Sequence, residues 1–464
     1  MQRLITGFLL GLVFGVHTSA LSAQSEPEQL TLTEFLGYVK AFHPFVKQAN
    51  IALDESEAKL MKARGAFDPK FGVDLSEKTF KNSTYYDRLN ATFEIPTYYG
   101  ITLKGGYVEA DGNYLNPENE VSGEGLYSLG GELNLAKGLL ANPRMTALKQ
   151  AKLFTQQAEE ENLLTVNEIL FRATQAYLEW YRAYQEYQVF DQFVENARFR
   201  FKGVKEQYAV GDLAAIDTTE ARIAFNTRVL SLEKAQLKLR EKSLKAANYL
   251  WINDTPVTLS PEVQPALDTE AYEMRFSAVD FSIEEHPKLR ALGYKVDSQR
   301  LERRLQRSNL LPEVTLGYQW LSETDVTENI RLGLDPENST TKLKVGVPLF
   351  MRKERAELEI SSLKLQDVSL ERDQVFIELS NKINALQSGV SSFMRQSELA
   401  EMMVSDYRAL FEGEQQKFAA GESSLFLVNT RESKLIEGLL KAIELSVAQK
   451  VARAELYFNT SFAR

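Results

Sequence analysis

The chain has 464 residues, of which 44% are hydrophobic and 25% charged, a formal net charge of −10, and no cysteine. The lack of cysteine excludes disulfides, thiolate metal sites and a lipid-modified N-terminal cysteine, and the acidic balance argues against nucleic acid or an anionic membrane surface as the main partner. The length alone would suggest about three ordinary domains, yet no Pro/Gly/Ser-rich linker divides the chain.

Arg3, an apolar run from Leu4 to Val16, and the small residues Ser19, Ala20, Ser22 and Ala23 form the three-part layout of a secretory signal. Residues 1–23 are therefore expected to be a signal peptide, cleaved after Ala20 or Ala23. The alternative, a membrane anchor, needs about 20 apolar residues, more than this run supplies. No later stretch is comparably long and free of charge. Residence in a membrane would therefore require a β-barrel.

Two copies of one unit follow. His43-Pro44 recurs as His286-Pro287 and Pro69 as Pro312, both at an offset of 243 (286−43 and 312−69). An internal repeat of this kind fixes the architecture before any motif does. It predicts a first repeat over 24–253, a connector over 254–282 and a second repeat over 283–464. YAVGD around Gly211 recurs as FAAGE around Gly421 at an offset of only 210, so the first copy carries 33 additional residues (243−210). One more strand hairpin, between about Tyr86 and Tyr107, accounts for the excess.

In copy one, strands are expected within about 70–136. Phe71, Val73 and Leu75 alternate with Gly72, Asp74 and Ser76; Leu89, Ala91, Phe93 and Ile95 with Asn90, Thr92 and Glu94; Ile101, Leu103 and Tyr107 with Thr102, Lys104 and Gly106; Leu129, Leu133 and Leu135 follow. Copy two repeats the pattern within about 313–348, through Val314, Leu316, Tyr318 and Trp320, then Leu343, Val345 and Val347. A period of 2 in segments of about ten residues suits a barrel with an apolar outside and a wet inside, and equally a half-buried soluble sheet.

From Pro143 to Val210 there is no interior proline and a single glycine, Gly203. Sixty-eight helical residues would extend about 100 Å at ~1.5 Å each. Leu170, Ala173, Tyr177, Trp180, Tyr184, Tyr187, Phe190, Val194, Ala197, Phe201, Val204 and Tyr208 step by three and four, the spacing of a coiled-coil seam. Leu379, Ile383, Leu386, Val390 and Phe393 repeat it in copy two. Return helices are expected at about Asp217 to Trp251 and Leu425 to Phe458.

HPFVKQA and HPKLRAL opening the copies, FDPKFGVDLS and LLPEVTLGYQ entering the strands, VGVPLF leaving them, and the tip turns YAVGDLAAID and FAAGESSLFL together resemble the TolC-like outer-membrane efflux proteins over essentially the whole mature chain. The resemblance implies a mainly α fold with membrane β: a duplicated helix-strand-strand-helix unit, three copies of which share a transmembrane β-barrel and build a long periplasmic α-barrel of coiled-coil helices. It implies a passive outer-membrane channel of a tripartite export system. The partners would be two further copies of the chain, a periplasmic adaptor, an inner-membrane transporter and outer-membrane lipid. The helical part would lie in the periplasm. The outlet of a type I protein-secretion system is the same reading with another cargo. A secreted coiled-coil scaffold with a soluble β domain is the alternative of a different class. The extra hairpin departs from the family's four strands per protomer.

Val210, Gly211, Asp212, Ala420, Gly421 and Glu422 form the two tip turns, where a glycine after a helix readily turns left-handed; by resemblance these turns dock onto the adaptor. In the family an aspartate ring often narrows the tunnel six and nine residues after the second tip glycine. Leu427 and Thr430 stand there. Asp217 and Glu220 hold the equivalent places in copy one, either as helix-start acids or as an acidic element of the aperture, with Phe426 and Leu427 as an apolar one. His43 and His286 precede prolines, a context that favours helix entry over metal ligation. No GxSxG, HExxH, P-loop or dinucleotide motif is present, so neither an enzymatic activity, a cofactor nor a metal is expected.

Overall fold

A computed structural model describes residues 28–115, 117, 121, 125–277, 281–323 and 337–462; the expected signal peptide lies outside them. In chain order the elements are β1 (Gln29–Thr31), α1 (Leu32–Phe42), α2 (Pro44–Arg64), β2 (Lys70–Phe80), β3 (Ser83–Pro96), β4 (Ile101–Asp111), β5 (Leu126–Asn134), α3 (Lys137–Leu140), α4 (Pro143–Val210) and α5 (Ala215–Ala247). Then come β6 (Trp251–Ile252), β7 (Thr255–Pro256), β8 (Gln264–Ala266), α6 (Thr269–Arg275), α7 (Pro287–Ser308), β9 (Glu313–Ser322), β10 (Ser339–Gly346), α8 (Arg352–Ala419) and α9 (Leu425–Thr460).

The duplication is visible element by element. α2 and α7 open the copies, and each begins on a histidine whose Nδ1 accepts the backbone N–H two residues on: His43 from Phe45 at 3.3 Å, His286 from Lys288 at 3.1 Å. The proline at the first helical position needs no partner for its missing N–H. α4 and α8 each contain 68 residues, and α4 spans the stretch expected from the sequence. The return helix α5 ends at Ala247, earlier than expected, because Trp251 pairs with Pro256 in a two-residue hairpin.

The strands of both copies form a single antiparallel sheet in the order β10-β9-β5-β4-β3-β2. Copy one supplies four strands and copy two supplies two, so the surplus residues are indeed a hairpin, β3 and β4, joined through the turn at 97–100. At the far end of β2, Lys81 and Asn82 both have positive φ (51° and 58°), the conformation of a two-residue hairpin turn. Register puts most apolar residues of the strands on one face, with Val108, Leu126 and Leu321 as exceptions. Phe71 lies opposite Phe93, Val73 opposite Ala91 and Tyr107, Ile95 opposite Leu103, and Leu133 opposite Leu316 and then Leu343. The other face is polar, and on it Lys104 of β4 reaches Glu132 of β5 at 2.6 Å and Glu94 of β3 at 3.5 Å.

Midway along the helices lies the principal core. Phe35, Leu36 and Val39 of α1 pack with Tyr177, Leu178 and Trp180 of α4, Phe276 and Phe458. The parallel pair β1 and β8 crosses α4 here, and the Tyr177 hydroxyl lies 2.6 Å from the carbonyl oxygens of both Leu30 and Ala266. The aromatic stripe of α4 is therefore a packing surface: Ala173, Tyr177, Trp180, Val194, Ala197 and Val204 are buried, while Tyr208 near the tip is exposed.

His286 is buried against Phe281 and Phe462. Burial, then the charges of Lys288 and Lys382, lowers its pKa to about 4. With an unfolded value near 6.5, the unfolded chain takes up a proton that the folded one refuses. The stability tied to the neutral ring is therefore complete above pH 6.5 and is lost as pH falls toward 4, by about 3 kcal/mol at most. Replacing His286 by Asn, which can still cap α7, should flatten this segment of the stability-against-pH curve; chemical denaturation at pH 7.5 and 4.5 measures it, and an unchanged slope would refute the assignment.

Candidate functional site at the paired helical tips

Both helical hairpins end in the same local geometry. Val210 and Ala420 are followed by left-handed glycines, Gly211 with φ 87° and Gly421 with φ 79°. Gly211 N–H bonds to Tyr208 C=O at 3.1 Å and Asp212 N–H to Gln207 C=O at 3.0 Å; in copy two, Gly421 bonds to Phe418 at 3.0 Å and Glu422 to Lys417 at 2.9 Å. This paired 5→2 and 6→1 pattern closes a helix that ends in a glycine. A Cβ added at either glycine would meet nothing within 4 Å, so the turns are open on the outside.

The second helix of each hairpin starts with its own cap. The Asp217 carboxylate accepts the Ala214 backbone N–H at 3.1 Å and so caps α5. Ser424 Oγ accepts from Leu427 N–H at 3.4 Å at the start of α9. Glu220 accepts from Asn429 Nδ2 of the other copy at 3.4 Å. The two acids expected at the aperture thus take part in contacts within the protomer, one local and one between hairpins. Phe426 and Leu427 lie one turn inside the second tip and are 63% and 40% exposed, apolar side chains without cover in the single chain.

Beneath the turns Val204, Ala221 and Leu425 pack together, with Phe201, Leu213 and Phe418 against them, so residues of both copies share one small core. Beyond it is an ion cluster that sequence reading missed. Glu432 of α9 is 1% exposed and is bound by Arg200 of α4 and by Arg228 Nε of α5 at 3.1 Å. Arg228 also donates to Ser433 Oγ at 2.8 Å. Phe193, Phe411, Val428, Leu435 and Ile436 pack nearby. On the outer side, the Ser423 hydroxyl at 2.5 Å and then Arg431 hold the Glu414 carboxyl below the usual carboxylate range. The only sequence signal for Glu432 was a charge amid Val428, Leu435 and Ile436, on the face that the helical period turns inward.

Two more buried acids on α4 repeat the device farther along. Glu186 is bound by Arg182 at 2.7 Å and by Lys238 of α5. Glu160 is bound by Arg290 of α7 at 3.0 Å. Among the described residues no group of three or more His, Cys, Asp and Glu converges to hold a metal, and no helix is long and apolar enough to cross a membrane.

Residues 279–459 match the sequence family described as outer membrane efflux protein. The matched segment coincides with the second copy of the unit. No curated protein matches the sequence. The fold of the whole chain is shared with solved outer-membrane channels. A CusC structure, described as crystal structures reviewing conformational changes in folding and transmembrane channel formation, superposes with a TM-score of 0.64 at 12% identity, over 93% of this chain and 92% of that one. The Campylobacter jejuni CmeC outer membrane channel gives 0.63 at 13% identity, over 93% and 86%. The outer membrane protein VceC of Vibrio cholerae gives 0.62 at 12%, over 93% and 97%. In this fold each tip turn joins the two helices of one hairpin, α4 to α5 and α8 to α9.

Glu432→Ala would leave two buried arginine side chains without their shared acid, a loss of about 3–5 kcal/mol for a broken buried pair. Thermal unfolding should show a clear fall in Tm, and Glu432→Gln should recover part of it through hydrogen bonding. A Tm unchanged by Glu432→Ala would show that the cluster does not hold the hairpins together.

Proposed function

We propose that three copies of this chain form an outer-membrane export channel: a shared β-barrel in the membrane, a helical tunnel reaching into the periplasm, and tips that meet a periplasmic adaptor joined to an inner-membrane transporter. The channel is passive, and the transporter supplies the energy. The observation that carries this reading is the sheet. It has one apolar face with Phe71, Leu75 and Leu343 at 73%, 72% and 64% exposure, and its outer strands β2 and β10 each have one neighbour only among the described residues. A lipid-facing surface and the closure of every strand edge by another copy satisfy both conditions together.

The helices support the same assembly. Ile216, Ile223, Leu230, Leu237 and Leu244 recur every seven residues along α5 and are 74%, 61%, 56%, 72% and 42% exposed. Such a stripe is one half of a coiled-coil seam whose partner is missing from the single chain. α8 carries exposed Leu363, Leu370 and Ile377 at the same spacing, and Met403 and Leu410 nearer the tip. An α5 of one copy packing on an α8 of the next covers both.

Cysteine pairs placed on β2 and β10, such as Asp74→Cys with Lys344→Cys and its register neighbours, test the assembly. The chain contains no other cysteine, so oxidation in detergent should yield covalently linked trimers. A monodisperse monomer without detergent, or no cross-link at any register, would overturn the channel.

Docking of the adaptor at the tips rests on the open space around Gly211 and Gly421. Arginine there suffers left-handed strain of about 1–2 kcal/mol, small for the whole protein, and projects into the partner's place. Gly211→Arg and Gly421→Arg should abolish export while trimers still insert; export at the wild-type level in both would exclude docking here.

The aperture closes on apolar groups. Asp217 serves as a cap and Glu220 is tied to Asn429, whereas Phe426 and Leu427 are uncovered. Three symmetry-related sets of such side chains at a narrow point exclude ions by dewetting. Leu427→Ser should raise single-channel conductance, and Asp217→Asn with Glu220→Gln should chiefly weaken cation preference. An unaltered conductance in the Leu427 variant would refute the apolar gate.

A further inference from the structure

Among the described residues six strands of each chain form one sheet, and that number sets the width of the pore. We infer, resting on the trimeric assembly proposed above, that the membrane barrel has eighteen strands and passes bulky solutes, up to the cross-section of a polypeptide chain with its side chains, without sorting them by charge. Three six-stranded sheets joined edge to edge leave no other count. Barrels of 16–18 strands hold an aqueous channel where those of eight are filled by side chains. With strands about 4.8 Å apart and tilted about 40°, the backbone diameter is about 36 Å. Allowing about 5 Å for side chains on each wall leaves a bore of about 25 Å.

The inward face does not fill that bore. One cross-strand row reads Gly72, Thr92, Gly106 and Ser128, four small residues in succession before Leu321 of β9. Charges of both signs are interspersed on this face. Lys104 sits between Glu94 and Glu132, Lys344 meets Glu313 at 3.2 Å, and Lys70, Asp74 and Lys342 lie on the same side of the sheet. A wide wall of mixed charge gives little net field in the lumen, since the screening distance is only about 8 Å at physiological salt. Selection by size and charge then falls to the helical tips and not to the membrane barrel.

The absence of cysteine makes the test direct. Thr92→Cys places a thiol on the inward face at mid-strand, and Ala91→Cys places one on the lipid face beside it. Intact cells would be treated from outside with maleimide-bearing polymers of graded size, which removes any dependence on the state of the tips. Thr92→Cys should be labelled by polymers of about 20 Å diameter to within about twofold of the small reagent, whereas Ala91→Cys should exclude them. Labelling of Thr92→Cys by small reagents only, or none, in a protein whose edge cysteines still cross-link as a trimer would overturn the wide bore while leaving the assembly standing. Loss of the edge cross-links themselves would overturn the assembly, and the eighteen-strand count with it.

Discussion

A strand edge in hydrocarbon has no water to bond with, and the channel proposed for this chain is built around that constraint. A six-stranded sheet with an apolar face and two single-neighbour strands is an incomplete object. Its register is already settled by cross-strand rows such as Leu133, Leu316 and Leu343, because a one-residue slip would turn every apolar side chain to the wet side. Among the described residues β2 and β10 each keep one edge without a strand partner, and in the proposed channel symmetric copies of the chain close both.

In the helical part the stabilising logic changes. The long helices are amphipathic on narrow stripes, and the contacts between helices are reinforced by buried acids: Glu160 and Glu432 between the two copies of the repeat, Glu186 between α4 and α5 of the first. A buried carboxylate is costly unless both partner charges and hydrogen bonds are present. Here each is met by a cation from another helix, so the ion pairs fix which helices face each other and at what height. An apolar seam alone would tolerate sliding by one heptad; a charge buried at one level does not. The three clamps thus give register to an interface that hydrophobic packing leaves degenerate.

Much of this was legible in the sequence, and for identifiable reasons. The period-2 runs appeared as strands because one face of the sheet is mostly apolar and the other mostly polar, and the 68-residue α4 was visible because it has no interior proline. The hairpin β3–β4 could be placed because a duplicated chain carries its own reference copy, in which a surplus of residues stands out. Gly211 and Gly421 could be read as left-handed turns from their position between helical runs. Other features were hidden. The Glu432 cluster joins residues up to 232 positions apart, and no local pattern encodes that pairing. Asp217 was open to two readings because a carboxylate three residues into a helix can cap it or face a lumen; the 3.1 Å contact to Ala214 establishes the cap, and the aperture role belongs to the proposed channel. The small sheets around β1 and β8 escaped notice because strands of three residues carry too little periodicity to detect.

The equal length of α4 and α8 has an evolutionary consequence. Two helices of 68 residues run from one sheet to two turns that share a core, so they act as matched rulers. A deletion of seven residues in one would withdraw its tip by about 10 Å while leaving the other in place, splitting Val204 and Ala221 from Leu425. Changes in reach are therefore permitted only as coordinated events in both halves of the gene, by the same amount and in steps that preserve the seam. Tunnel length in such a lineage should vary in discrete, paired increments, while loops at the sheet end are free to drift one residue at a time.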